Sequence, residues 1–155
     1  LGLHEVADLP RESLQDPIWL RTNHTRKGRD GCRVPLPWTS TGSSFGFGTG
    51  GAHLPQPAWF ADYSVEIESD DASSTLEMYR AAVAARKQLL TGEDFAWGSL
   101  DGGQVIDFDR GAGWRSITNF GSDPVDLPAG EVVVVSSPLV EGKLDADATA
   151  WVVVK

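Results

Sequence analysis

The sequence predicts a mostly β chain, with an antiparallel β-sandwich in its C-terminal part, preceded by one helix and by long loops. Three features carry that expectation. Past Gly92, β-branched runs alternate with turn clusters of Gly, Pro and Asp, the pattern of short strands in a sandwich or barrel. Between residues 74 and 90 the apolar spacing follows the helical period. Residues 1–72 hold six of the nine prolines and three of the six tryptophans, with hardly any sustained periodicity. The expected division is 1–92 against 93–155.

Within the first stretch, Gly28-Arg29-Asp30-Gly31 reads as a turn carrying two opposite charges, and Arg33 follows. Val34-Pro35-Leu36-Pro37-Trp38 then stiffens the backbone, because each proline fixes φ. Ser43 to Gly51 reads as loop, where glycine supplies conformations that regular elements would not use. So long a structureless run points to functional loops or to an absent scaffold. The second reading predicts that residues 1–72 pack on something outside the chain. A chain beginning at Leu1 rather than Met leads to the same expectation, a piece of something longer.

The helix is predicted over about 74–90. Ser74 is placed to cap it, with Glu77 three residues on to complete a capping box. Leu76, Tyr79, Val83 and Leu90 share one side, with Ala82 and Leu89 alongside. Arg86 and Lys87 lie towards the end where the macrodipole favours cations, and Gly92 supplies the stop. Strands are then expected at 104–110, 114–120, 131–135 and 149–154, separated by Gly111-Ala112-Gly113, Gly121-Ser122-Asp123-Pro124 and Leu127-Pro128-Ala129-Gly130.

Composition narrows the function classes. A formal charge of −9 disfavours nucleic acid and anionic membrane as partners, since both require clustered Lys and Arg. Cys32 is the only cysteine, so no internal disulfide can form; a small buried thiol is the expected state. No apolar run approaches the ~20 residues of a membrane span, and a reduced, cytoplasmic setting is expected. His4, His24 and His53 have no companions at metal-ligand spacing, so no metal or other cofactor is expected. Gly46-Phe47-Gly48 lacks the Lys-Ser/Thr of a phosphate loop.

Residues 28–38 resemble the Arg-Asp-x-x-Arg-Thr-Pro-Met-Gln-Trp motif of α-glucosidases, the oligo-1,6-glucosidase-like enzymes of glycoside hydrolase family 13 in the α-amylase superfamily. Val34, Leu36 and Pro37 depart from the usual Thr, Met and Gln. The likeness continues in order through Phe45-Gly46-Phe47, Leu54-Pro55-Gln56-Pro57, a strand-like Val65-Glu66, a last barrel helix beginning at Ser74, and Asn119-Phe120 in a C-terminal β domain. Leu1-Gly2-Leu3 resembles the end of a Gly-Glu-Glu-Leu-Gly stretch after the eighth barrel strand.

The resemblance implies that residues 1–92 are the end of a (β/α)8 barrel and 93–155 its β-sandwich domain C. The charged turn then lies at the barrel's C-terminal face, where such folds assemble their sites. The resemblance also implies that the catalytic carboxylates lie upstream, so no catalytic residue is expected here. Asp70-Asp71 reads as the acidic flank of a helix start, and Glu93-Asp94 as a solvated flank.

Arg29 is the candidate substrate-binding residue, donating to glucose hydroxyls; its alternative is a structural ion pair with Asp30. Arg33 leans towards structure. Phe45 and Phe47 are candidates to wall a sugar site, with loop packing as the alternative. Trp38 and Trp59 read as core or interface aromatics. The expected partners are an α-gluco-oligosaccharide, the missing barrel segment and, for the piece alone, a second copy through exposed apolar surface. The rival reading is a free-standing carbohydrate-binding or subunit-assembly β module.

Overall fold

In the computed structural model, residues 2–98 and 103–154 are described. By its internal contacts the chain forms two units, Leu1–Glu77 and Met78–Lys155. The second unit holds five antiparallel strands: β1 (Ala96–Trp97), β2 (Val105–Asp109), β3 (Trp114–Asn119), β4 (Gly130–Val135) and β5 (Ala148–Val154). They lie in one sheet in the order β1-β2-β3-β5-β4. The four longer strands stand where the β-branched runs predict them. β1 was not foreseen, because two residues carry no period.

Alternation along the strands puts Ile117, Ala148, Ala150 and Val152 in the core, each at most 3% exposed. Leu144, fully buried, packs on them with Val125, Leu127 and Leu139. These covering residues come from segments joined by isolated bridges, Val125 to Leu144 and Val140 to Lys143. The second layer over the sheet is therefore built from bridged loops.

Asn119 closes this core. Its side chain is fully buried. Nδ2 donates to the carbonyls of Asp123 (2.9 Å), Leu144 (3.3 Å) and Asp145 (3.1 Å), and Oδ1 accepts from Gly121 N–H at 2.8 Å. A sole amide thus satisfies backbone groups from the end of β3, the turn after it and the covering segment. Removing it strips this partner from Gly121 N–H and from the Asp123 and Asp145 carbonyls, while the Leu144 carbonyl keeps Val125 N–H, so Asn119→Ala is expected to lose about 2–4 kcal/mol. Urea unfolding followed by tryptophan fluorescence checks this; a midpoint unchanged from wild type contradicts it.

The first unit is less bare than its sequence suggests. Two short helices, α1 (Pro17–Arg21) and α2 (Val65–Ser69), and 3-10 turns at Arg11–Ser13, Asp30–Cys32, Ser43–Gly46 and Ala58–Tyr63 punctuate it. Leu9, Leu14, Trp19, Val34, Leu54 and Phe60 form a buried cluster with Phe45 and Trp59 against it. Residues 1–72 therefore carry an apolar cluster of their own. Single apolar residues spaced between turns build it, so no period marks it.

The strand-like reading of Val65-Glu66 is also corrected, since both lie in α2. Ser64 caps that helix, accepting Ile67 N–H at 3.3 Å. The predicted helix is α3 (Thr75–Leu89). Glu77 N–H donates to Ser74 Oγ at 3.2 Å, while Ser74 N–H goes to the Asp71 carbonyl. The buried Glu68 carboxylate accepts Leu76 N–H at 2.9 Å, an acid where the helix start favours one. No residue of α3 is buried, and Tyr79 and Val83 of its apolar face are 61% and 52% exposed.

Candidate substrate-binding loops

The backbone of the charged turn at Arg29, and the side chain of Arg33, are held by an acid without a sequence signal of its own, Asp16. It is 4% exposed and sits before Pro17 at the start of α1. Its Oδ1 accepts Ile18 N–H at 2.9 Å, an ordinary cap. Its Oδ2 accepts both Arg29 N–H at 2.9 Å and Arg33 Nη1 at 2.7 Å. Asp30, 5% exposed, answers from the other side, its Oδ2 accepting the N–H groups of Gln15 (3.0 Å) and Asp16 (2.9 Å). Gly28 is required beside this knot, because a Cβ there would fall 2.0 Å from the Asp16 carboxyl carbon.

The alternative for Arg29, a structural ion pair with Asp30, does not form. Asp30 is occupied by backbone donors and lies 3.6 Å from Arg33 Nη1. Arg33 is thus the cation that braces the loop, and the exposed Arg29 side chain is not among its ion pairs. Cys32 is exposed, contrary to the expectation of a buried thiol, since the 3-10 turn Asp30–Cys32 directs it outward from the cluster.

The next loop hangs from α2. Val65 N–H donates to the Pro37 carbonyl (3.2 Å) and Glu66 N–H to the Trp38 carbonyl (3.0 Å), so orphan donors of the helix start are met by the Pro-Trp backbone. Glu66 adds its carboxylate to Ser40 N–H and Oγ, which holds that carboxyl below its ordinary range. Trp38 itself is 51% exposed, so its indole is no core residue; its backbone is what is fixed. Trp59 is half-buried, edge-on to Phe60 at 4.7 Å and Tyr63 at 5.7 Å.

Phe45 and Phe47 sit in the turn that follows. Phe45 is half-buried against the apolar cluster, and Phe47 is 56% exposed. The Phe45 carbonyl accepts Trp38 N–H (2.7 Å) and Thr39 N–H (3.0 Å), which joins this turn to the charged motif. An open groove of about 320 Å³ runs along Glu5–Leu9 past Lys27, Gly28, Asp30 and Gly31; of the candidate residues only Asp30 lines it. Among the described residues no three His, Cys, Asp or Glu come together as a metal site. No described helix is long and apolar enough to cross a membrane.

The donors around Asp16 have an electrostatic signature. Arg29 N–H, Ile18 N–H and the Arg33 guanidinium hold its carboxyl down at about 2, against an ordinary 3.8. Folding therefore favours the charged form, so the contribution is complete above pH ~4 and fades as pH falls towards 2. Asp16→Asn is expected to be less stable than wild type at pH 7 and to show a smaller loss between pH 4 and 2. Parallel urea titrations across that range check it; identical pH profiles contradict it.

Comparison with known proteins now adds to this geometry. The family model for the α-amylase catalytic domain matches residues 2–93. A probable α-glucosidase of Rhizobium meliloti is 37% identical over 81 residues, covering 52% of this chain and 14% of that protein. The α-glucosidase MAL32 of Saccharomyces cerevisiae is 34% identical over 93 residues, covering 53% of this chain and 15% of its own length. In three dimensions, the α-glucosyl transfer enzyme XgtA superposes with a TM-score of 0.72 at 34% identity over 99% of this chain and 31% of the enzyme. The chain thus spans about a seventh of the curated relatives it matches and under a third of that solved structure.

Proposed function

The chain belongs to the α-amylase family of glycoside hydrolases, and from that premise we propose that it is the C-terminal part of a retaining α-glucosidase. Residues 1–92 would be the end of its (β/α)8 barrel and 93–155 its domain C, a division supported by a family match that ends at residue 93. The substrate class is an α-linked gluco-oligosaccharide, attacked at the non-reducing end. The observation that carries this reading is the likeness to XgtA along 99% of the chain, with the backbone of the Arg29 motif tied to Asp16.

In such an enzyme one carboxylate attacks the anomeric carbon while a carboxylic acid protonates the leaving oxygen, and water later releases the sugar with the second group now acting as base. Both groups belong to the part of the enzyme upstream of this chain. The residues present position and bind. Arg29 offers rigid, always charged donors to sugar hydroxyls, because Arg33 and the backbone have taken the acids beside it. Phe47 presents an exposed aromatic face of the kind that stacks on a pyranose ring. Leu20, Leu36, Ile67 and Tyr79, each 46–66% exposed, are surface that the missing barrel segment would cover.

The isolated chain is expected to cleave no p-nitrophenyl α-glucoside, whereas the chain joined to its upstream barrel is expected to cleave it. Within the joined enzyme, Arg29→Ala is expected to lower kcat/KM by about 30- to 150-fold, the equivalent of about 2–3 kcal/mol for a charged donor. Retained activity in the isolated chain, or an Arg29→Ala enzyme equal to wild type, overturns the assignment. The second reading, a free-standing module, is favoured by the apolar cluster at Leu9–Phe60. Protease resistance of residues 1–72 together with an upstream sequence encoding no barrel would select it.

A further inference from the structure

The turn carrying Phe45 and Phe47 is held in a conformation its sequence resists. Ser44 (φ 51°), Phe45 (φ 44°) and Gly46 (φ 73°) are consecutive left-handed residues. Glycine accepts this freely, but Ser and Phe each pay for it, and such strain persists only where surrounding contacts over-determine it. Those contacts are identifiable. Trp38 and Thr39 N–H converge on the Phe45 carbonyl, Phe47 N–H donates to the Ser44 carbonyl at 3.0 Å, and Gln56 supplies the remaining tie.

Gln56 Nε2 donates both its hydrogens, to the carbonyls of Pro35 (2.9 Å) and Ser44 (3.1 Å). Both partners are acceptors only, which fixes the amide orientation. Pro35 belongs to the charged motif and Ser44 to the strained turn, so a single side chain links the two loops that carry the candidate binding residues. Gln56 itself is half-buried.

We propose that Gln56 is a positioning residue: it holds the left-handed turn so that Phe47 stands at a fixed place relative to the Arg29 motif, and thereby sets affinity for the sugar chain. The catalytic consequence rests on the α-glucosidase reading; the structural one does not. Gln56→Met keeps the length of the side chain and removes both donors.

Two measurements test it. On the 155-residue chain, amide hydrogen exchange of Trp38, Thr39 and Phe47 is expected to rise about tenfold or more in Gln56→Met, while that of the sheet strands stays as in wild type. Unchanged exchange at those amides overturns the proposal whether or not the enzyme is a glucosidase. In the enzyme joined to its barrel, Gln56→Met is expected to raise KM for a gluco-oligosaccharide about five- to tenfold with kcat within twofold. Phe47→Ala is expected to raise KM similarly, and the double variant no further, because both act through one ring. Additive KM effects, or a loss of kcat that follows the melting temperature, overturn the positioning role. A wild-type joined enzyme inactive on α-glucosides defeats the α-glucosidase reading instead, and leaves the exchange result to decide Gln56.

Discussion

Two buried carboxylates, Asp16 and Asp30, organise the first unit by each accepting the backbone of the other's loop. Asp30 takes the amides of Gln15 and Asp16, and Asp16 takes the amide of Arg29. Buried acids are costly unless their lone pairs are met and a counter-charge is near. Here backbone amides meet them and Arg33 supplies the counter-charge. The consequence is electrostatic: Asp30 is already satisfied, and it does not capture its neighbour Arg29. A pair of adjacent opposite charges, which in isolation reads as an ion pair, becomes one braced acid and one available cation.

The same logic runs along the loop that follows. Pro35 and Pro37 have no N–H, so each can tie the backbone down only through its carbonyl. Both carbonyls are used, by Gln56 and by Val65 N–H at the start of α2. α2 is short, and its role here is to present unpaired amides where the loop needs donors. The stiffness the prolines give the segment is thus anchored at two places, and Trp38 is left with a fixed backbone and an exposed ring.

Regular elements were legible in the sequence and the knot was not. Period and capping located α3 and the four longer strands to within a residue of each end, because those elements bury or expose residues at fixed intervals. Asp16 has no such signal. It precedes a proline at a helix of five residues, and its partners stand 13 and 17 positions away. The motif's resemblance pointed to Arg29, Arg33 and the two phenylalanines, but it said nothing of how Arg29 is kept free. Cys32 was misjudged for a related reason: burial of a small thiol is a tendency of residue type, whereas a 3-10 turn around a glycine decides its direction locally. Gln56 carries no sequence signal either, since one amide bridging two loops is a matter of where the loops lie.

The contrast between satisfied polar groups and uncovered apolar ones bears on what the chain is part of. Asp16, Asp30, Glu68 and Asn119 are all buried, and every one of them has backbone donors or acceptors within the chain. The apolar side is less complete: α3 buries no residue, and Leu20, Leu36, Trp38 and Tyr79 are about half exposed or more. Hydrogen-bonded knots are local, requiring only a few tens of residues in the right order, and so they close inside a piece. A helix stripe needs an opposing layer, and a layer belongs to the whole domain. On the reading proposed above, that layer is the barrel upstream of Leu1, and the loops of this chain are shaped in advance to meet a substrate that only the joined molecule can cleave.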